Sequence, residues 1–315
     1  AGLMATYFGE STRAQGYLDR ALAMARAVGD RKIEATTISS LGTLARETGD
    51  LPRARELYEQ VLAIRRQSGE IAGLADALNN LAIMLSKLPD RLDEAQRLFE
   101  EALLIHHQLG NTTWIAFMHL NIGELEHERG DFAAARKRYL QSLKVLEKMG
   151  DQWGIAYALD GLGKCDLVTG NLDAARDYFE RSLKIVRKFG DKRTMADQLD
   201  NLAQTALRQG DSSSAWPLAR ESITLRFEMK DRLGLAQSLD TLAEARHEVD
   251  AKRAAVMLGA SEEIRTQINA PRTADGRRRH STLVGSMRQK MGVAEFEAAF
   301  ESGRLIKPGD PSVLG

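Results

Sequence analysis

A single cysteine, Cys165, stands in 315 residues, so no intrachain disulfide can staple this chain. Prolines number only six, and Ala, Leu, Arg, Glu and Lys dominate, which points to helix throughout. Net charge is missing as well: 44 Lys and Arg balance 44 Asp and Glu. A neutral chain has no general attraction for nucleic acid or an acidic membrane, although local patches can differ. No apolar run reaches the roughly 18 residues needed to span a bilayer, and no signal-like segment opens the sequence. A reducing, cytoplasmic setting is the expectation. Catalytic motifs are also missing: there is no phosphate-cradling glycine loop, nucleophile elbow or zinc-protease motif.

What is present is a repeat. A Gly-Asp-like pair returns about every 20 residues, at Gly29-Asp30, Gly49-Asp50, Gly69-Glu70, Pro89-Asp90, Gly110-Asn111, Gly130-Asp131, Gly150-Asp151, Gly170-Asn171, Gly190-Asp191 and Gly210-Asp211. Lys230-Asp231 and Val249-Asp250 continue it in degraded form, and a one-residue slip lies near Arg91. Glycine accepts the left-handed conformation that ends a helix, and Asp or Asn offers a side-chain oxygen to the free N–H groups of the next. Each pair therefore stops one helix and starts another, predicting helices of about 17 residues, or about 25 Å.

Two helix types alternate, so the true period is about 40. The first type carries a small residue and then a large-small pair: Ala35 with Leu41-Gly42, Ala75 with Leu81-Ala82, Ala116 with Ile122-Gly123, Ala156 with Leu162-Gly163, Ala196 with Leu202-Ala203, and Ala236 with Leu242-Ala243. The second carries Ala, an aromatic and Leu: Ala54, Tyr58, Leu62; Ala95, Phe99, Leu103; Ala135, Tyr139, Leu143; Ala175, Phe179, Leu183. The fifth keeps Ala215 but has Ala219 in the aromatic's place. Small residues let helices approach, and the aromatic fills the gap.

At these positions the sequence resembles the tetratricopeptide repeat, in a longer form than the usual 34-residue period and without its closing proline. The resemblance implies an all-α fold: a right-handed superhelix of antiparallel hairpins. The boundaries read as a half repeat at 1–29, repeats at 31–69, 71–110, 112–150, 152–190 and 192–230, and a degenerate one at 232–268. Capping helices follow at 269–304, with Leu283, Met287, Met291, Phe296 and Phe300 needing burial, and then a disordered tail at 305–315. Ala1 stands within a helical pattern, so the chain reads as a piece of a longer polypeptide whose remainder covers the N-terminal face. The run Arg253-Ala254-Ala255, Leu258-Gly259-Ala260, Ala270-Pro271, Met291-Gly292, Phe296, Ala299 and Gly303-Arg304 is similar to the end of bacterial signal-transduction NTPases and LuxR-type transcription regulators. That likeness implies a sensor joined to switch and output domains.

In the repeat family, one side of each first-type helix lines a concave groove. Carried over by position, the groove residues are Thr36, Ser39, Ser40, Thr43 and Arg46; Asp76, Asn79, Asn80, Ile83, Ser86 and Lys87; Phe117, Leu120, Asn121, Glu124, His127 and Glu128; Tyr157, Asp160, Lys164, Leu167 and Val168; Asp197, Asp200, Asn201, Gln204 and Arg208; and Gln237, Asp240 and Glu244. Phe117, Leu120, Tyr157, Leu167 and Val168 are either a binding patch or core hidden by curvature. Asn80, Asn121 and Asn201 either hold an extended peptide backbone or bond to a neighbouring repeat. Asp160, Asp197, Asp200, Asp240 and Glu244 form either a site for a Lys- or Arg-bearing ligand or an ordinary solvated face.

The expected function is a non-catalytic protein- or peptide-binding scaffold, with a nucleic-acid-binding module through Arg277-Arg278-Arg279-His280 as the alternative. A solvated or paired helix end is the plainer reading of that basic run. Expected partners are a protein or peptide, the attached domains of a longer protein, and a second copy through the uncovered N-terminal face. No membrane, cofactor or metal is expected. His119 and His127 lie about 12 Å apart along one helix, too far to share an ion with Glu124, and His106 and His107 point in different directions. Cys165 replaces apolar Leu44, Met84 and Leu125 of other repeats and reads as core. Glu126 and Asp166 are expected to pair with Arg136 and Arg176, since lone buried carboxylates are costly.

Overall fold

The computed structural model describes residues 11–272 and 274–306. Residues 1–10 of the expected half repeat, and 307–315 of the expected tail, fall outside the described residues. Among the described residues there are fifteen α-helices, one 3-10 turn and no strand. The chain divides into two compact units, one ending at Gly154 and the other starting at Ile155.

The first unit contains α1 (Ser11–Ala27), α2 (Arg31–Glu47), α3 (Leu51–Ser68), α4 (Ile71–Leu85), α5 (Leu92–Gln108), α6 (Thr112–Glu128) and α7 (Phe132–Met149). The register slip is a 3-10 turn at Pro89–Arg91. In chain order α2/α3, α4/α5 and α6/α7 are hairpins of the two alternating types. Each close approach has a local cause. A Cβ built on Gly42 would lie 2.8 Å from the Tyr58 ring, and one on Gly123 would lie 3.0 Å from Tyr139. Only a small residue lets the aromatic of the following helix lie flat against the first. Tyr58, Phe99 and Tyr139 are buried in consequence, and Ile38, Leu78, Met84 and Leu125 fill the space around them.

The second unit contains α8 (Gln152–Thr169, whose first three residues precede the division), α9 (Leu172–Phe189), α10 (Lys192–Arg208), α11 (Ser212–Met229), α12 (Arg232–Arg246), α13 (Ala251–Ile268), α14 (Ala274–Met291) and α15 (Val293–Arg304). Gly163 gives way to Phe179 as Gly42 does to Tyr58. A second recurring device had no counterpart in the sequence reading. Buried Ser182, Ser222 and Ser261 each donate to the carbonyl of the small residue of their own hairpin's first helix (Ala156, Ala196 and Ala236) at 2.9 Å. Cys165 is buried, as core. At the C-terminal end Leu283, Met287 and Phe296 are buried, while Met291 and Phe300 are partly so. Here α15 crosses α13 through two glycines: a Cβ on Gly259 would overlap the Phe300 carbonyl, and one on Gly303 the Val256 carbonyl.

The punctuation works unevenly. Asp30, Asp50, Asp131, Asp191, Asp211, Asp231 and Asp250 each accept a first-turn backbone N–H, contributing about 1 kcal/mol apiece. Asn111, Asn171 and Glu70 make no such bond, contrary to the expectation for the asparagines. Asn171 instead turns its amide to Asp166 (3.4 Å) and Thr169 (3.2 Å). Glycine ends most helices with positive φ, but after α11 Lys230 takes that place at φ +56°.

Two measurements follow from these turns and crossings. Lys230→Gly relieves a left-handed lysine and should stabilise the chain by about 1 kcal/mol in urea unfolding; an unchanged midpoint would mean that Lys230 is unstrained. Gly303→Ala should overpack the α13–α15 crossing and cost about 1–3 kcal/mol, read as a lower thermal midpoint.

Candidate functional site

In the first unit the expected groove residues divide between solvent and packing. Asp76 is exposed, Ile83, Asn80 and Phe117 are half-buried, and Leu120 is buried at 2% exposure. Asn79 is buried too, because it accepts from Asn121 at 2.8 Å. Asn80 donates to Ser39 at 3.2 Å. The asparagines of this unit therefore tie neighbouring hairpins together. Glu124 pairs with Lys87 at 2.6 Å by the same repeat-to-repeat reach. Phe117 sits beside Trp114 (ring centroids 6.1 Å apart), which stacks on buried His106 at 5.6 Å. Glu126 is held by Arg138 at 3.3 Å, two residues beyond the arginine expected. His119 also meets Arg138, and burial with that cation pushes its pKa down to about 4.

The second unit carries a cleft that gathers many of the expected groove residues. The cleft, of about 550 Å³, is lined by Lys164, Asp197, Asp200, Asn201, Gln204, Gln237, Asp240 and Glu244 from α8, α10 and α12. Its other walls are Arg226, Arg265, Arg272, Arg279 and His280, with the Ala270-Pro271 turn. The rest of the α8 face stands otherwise: Tyr157 and Val168 are exposed at 37% and 46%, and Leu167 is buried.

The acids of this cleft are not a bare negative surface. Asp160 pairs with Lys164 at 2.6 Å and accepts from Gln198 (2.8 Å) and Asn201 (3.2 Å). Arg226, 4% exposed, holds Asp197 at 2.7 Å, Asp200 at 3.1 Å and Asp231 at 2.7 Å, and its Nε donates to Ser238 at 3.1 Å. Ser238 also donates to Asp200 at 2.6 Å. Burial still pushes the Asp200 carboxyl up to about 6, so desolvation outweighs the pull of the guanidinium. Asp240 takes Arg265 at 3.2 Å and a two-point contact from Arg272, with Nε to Oδ2 at 3.0 Å and Nη2 to Oδ1 at 2.9 Å. Glu244 has Arg279 at 3.7 Å.

The sequence reading missed Arg226, Arg265 and Arg272, although a signal for two of them existed. Seven residues after the aromatic position, the second-type helices read Arg65, His106, Leu146, Val186, Arg226 and Arg265. In three of the six repeats a glycine at the next helix start makes room for it: a Cβ on Gly73 would lie 2.8 Å from Arg65, one on Gly154 2.8 Å from Leu146, and one on Gly234 would overlap Arg226. Arg65 is buried and donates to Thr36 (2.9 Å) and Glu70. Arginine at this position thus reaches back to the first-type helix of its own hairpin. The basic run, for its part, turns partly inward: Arg279 faces Glu244, and Arg277 donates to the Arg272 carbonyl at 2.7 Å. Among the described residues no His, Cys, Asp and Glu cluster could hold a metal, and no helix is long and apolar enough to cross a membrane.

The sequence profile of a family described as the MalT-like TPR region matches residues 1–281. Among curated proteins none matches in sequence. Solved structures do. A signal-transduction ATPase with numerous domains and a tetratricopeptide repeat sensor, from Pyrococcus horikoshii, superposes with a TM-score of 0.67 at 14% identity, covering 96% of this chain and 45% of that one. A Rap protein complexed with Competence and Sporulation Factor gives 0.64 at 14% identity, over 92% of this chain and 86% of that one. The apo quorum sensor NprR from B. thuringiensis gives 0.58 at 14%, over 91% and 86%. At these identities the likeness is one of fold.

Removing the hub arginine tests the site's architecture. Arg226→Ala strands Asp200 as a buried charge and should cost about 3–5 kcal/mol in urea unfolding. Adding Asp200→Asn should recover part of that loss; simple addition of the two costs would show the pair to be uncoupled.

Proposed function

This chain belongs to the family of MalT-like TPR regions, and from that premise we propose that it is a non-catalytic scaffold that binds a protein or peptide along its first-type helices. In this reading it serves as the cytoplasmic sensor of a larger bacterial signalling or transcription regulator. The observation that carries the proposal is the second unit's cleft, walled by the same face of three consecutive first-type helices. Its lining sets many fixed donors and acceptors beside Leu233, Leu258 and Leu283, which suits an extended segment with both polar and apolar groups. The related folds add support: one is the sensor of a multidomain ATPase, and another is a Rap protein in complex with Competence and Sporulation Factor.

In the first unit, Phe117 and exposed Trp114 offer an apolar contact on the corresponding helix. Leu120 is buried there, and Asn121 donates to Asn79. The nucleic-acid alternative gains nothing from the geometry, because Arg279 and Arg277 are engaged within the chain.

Gln204 and Gln237 line the cleft, and no hub contact depends on them. A Gln204→Arg/Gln237→Arg variant should keep the wild-type melting temperature. It should also lose a partner that the wild-type chain captures, by about tenfold or more in affinity. Equal capture by both chains would remove the cleft from the binding face.

A further inference from the structure

Two of the cations that line the cleft do not come from the hairpins that build it. Arg226 and Arg265 belong to the repeats, on α11 and α13, but Arg272 and Arg279 come from the segment that follows Asn269. Asn269 takes a left-handed conformation (φ +50°) that ends α13 and turns the chain back. Ala270 and Pro271 then line the cleft, and Arg272 enters it. Its guanidinium, 7% exposed, meets Asp240 at two points, with Glu262 and Ser261 (3.3 Å) completing the ring of acceptors. Planar two-point pairing is the geometry that distinguishes arginine from lysine.

The register sharpens the point. Asp240 occupies the position of Asp160 and Asp200 in the two preceding first-type helices. Asp160 is neutralised by a lysine on its own helix, and Asp200 by the arginine of its own hairpin. Asp240 has the equivalent hairpin arginine in Arg265, at 3.2 Å through one nitrogen, and takes a second guanidinium besides. The last hairpin therefore carries a guanidinium site beyond what its own packing supplies.

We propose that Asp240, Glu262 and Ser261 form an arginine-reading subsite of the binding face, filled in the resting chain by the chain's own Arg272. The partner it fits is a protein segment with an exposed arginine in extended conformation and a second basic residue a few positions away to meet Glu244. Such a segment displaces the 270–280 stretch instead of adding to it. Binding at this end is then an exchange of one arginine for another, with little change in buried charge. The selectivity lies in the flanking residues that reach Gln237, Gln204 and Asn201. This inference rests on the reading of the first-type helices as the binding face and names its partner class.

The test uses the full chain and a fluorescein-labelled peptide of this chain's residues 268–281. Wild type should bind it weakly, since the subsite is filled. Arg272→Ala/Arg279→Ala should bind it about thirtyfold or more tightly, and adding Asp240→Asn should abolish that gain. A double variant that keeps the wild-type melting temperature and binds the peptide no better than wild type overturns the proposal. If the double variant fails to fold, hydrogen exchange on the wild-type chain decides instead. Saturating acetyl-arginine-amide should raise exchange at residues 276–283 while acetyl-lysine-amide does not; equal or no response to the two overturns it. A partner that is lost with the Gln204/Gln237 variant but indifferent to these changes would leave the general binding reading standing and remove only the arginine subsite.

Discussion

Close approach between the two helix types of a hairpin is the constraint on which the rest of this structure depends. A hairpin of two 17- or 18-residue helices cannot hide its apolar face alone, so its stability comes from contact with the hairpins on either side. The two helices of a hairpin come close enough to present such a face only if the first-type helix offers a residue small enough to receive the ring opposite. Gly42, Gly123 and Gly163 do so against Tyr58, Tyr139 and Phe179. The same size exchange recurs at the helix starts, where Gly73, Gly154 and Gly234 admit Arg65, Leu146 and Arg226. Once the backbones are that close, the buried serines reach a carbonyl across the hairpin, and the polar face of the first-type helices is fixed in position.

Much of this was legible in the sequence because its causes are local. A glycine that must turn left-handed, an aspartate that must cap, and an aromatic facing a small residue each leave a mark within a few residues, repeated often enough to reveal the period. The exceptions are physical too. Asn171 looks like a cap but finds Asp166 and Thr169 closer, and its amide goes there. Lys230 holds a glycine's place because its carbonyl-capping bonds survive without one.

The groove was legible only as a face. Position along a helix gave the side of α10 and α12 that lines the cleft, but not what each side chain does there. That depends on residues 26 to 42 positions away. Asn121 falls on the expected groove face, yet its amide donates to Asn79 in the preceding hairpin. Asp200 looks like part of an acidic surface, yet it is 5% exposed and closed over by Arg226 and Ser238. The column Arg65, His106, Leu146, Val186, Arg226, Arg265 held the missing information. Its arginines each reach a polar residue of their own hairpin's first helix, Arg65 to Thr36, Arg226 to Asp197 and Asp200, and Arg265 to Asp240, while the repeats of Phe117 and Tyr157 carry Leu146 and Val186 there. At Asp197, Asp200 and Asp240 the charge on the face meets a countercharge from behind it.

That pairing bears on how such a face can discriminate. A carboxylate left alone in a recess pays a desolvation penalty that surface acids escape. The acids Asp160, Asp197, Asp200, Asp240 and Glu244 each have a cation supplied: from the same helix at Lys164, from the hairpin at Arg226 and Arg265, and from the C-terminal segment at Arg272 and Arg279. A trough built from matched pairs has little net potential with which to attract either sign at a distance. It offers oriented donors and acceptors at fixed spacing instead. Long-range steering contributes little there, and a ligand gains only by matching geometry, or by replacing one member of a pair with an equivalent of its own. The mixed lining of the cleft expresses one condition: the acids Asp160, Asp197, Asp200, Asp240 and Glu244 on this face each come with a cation.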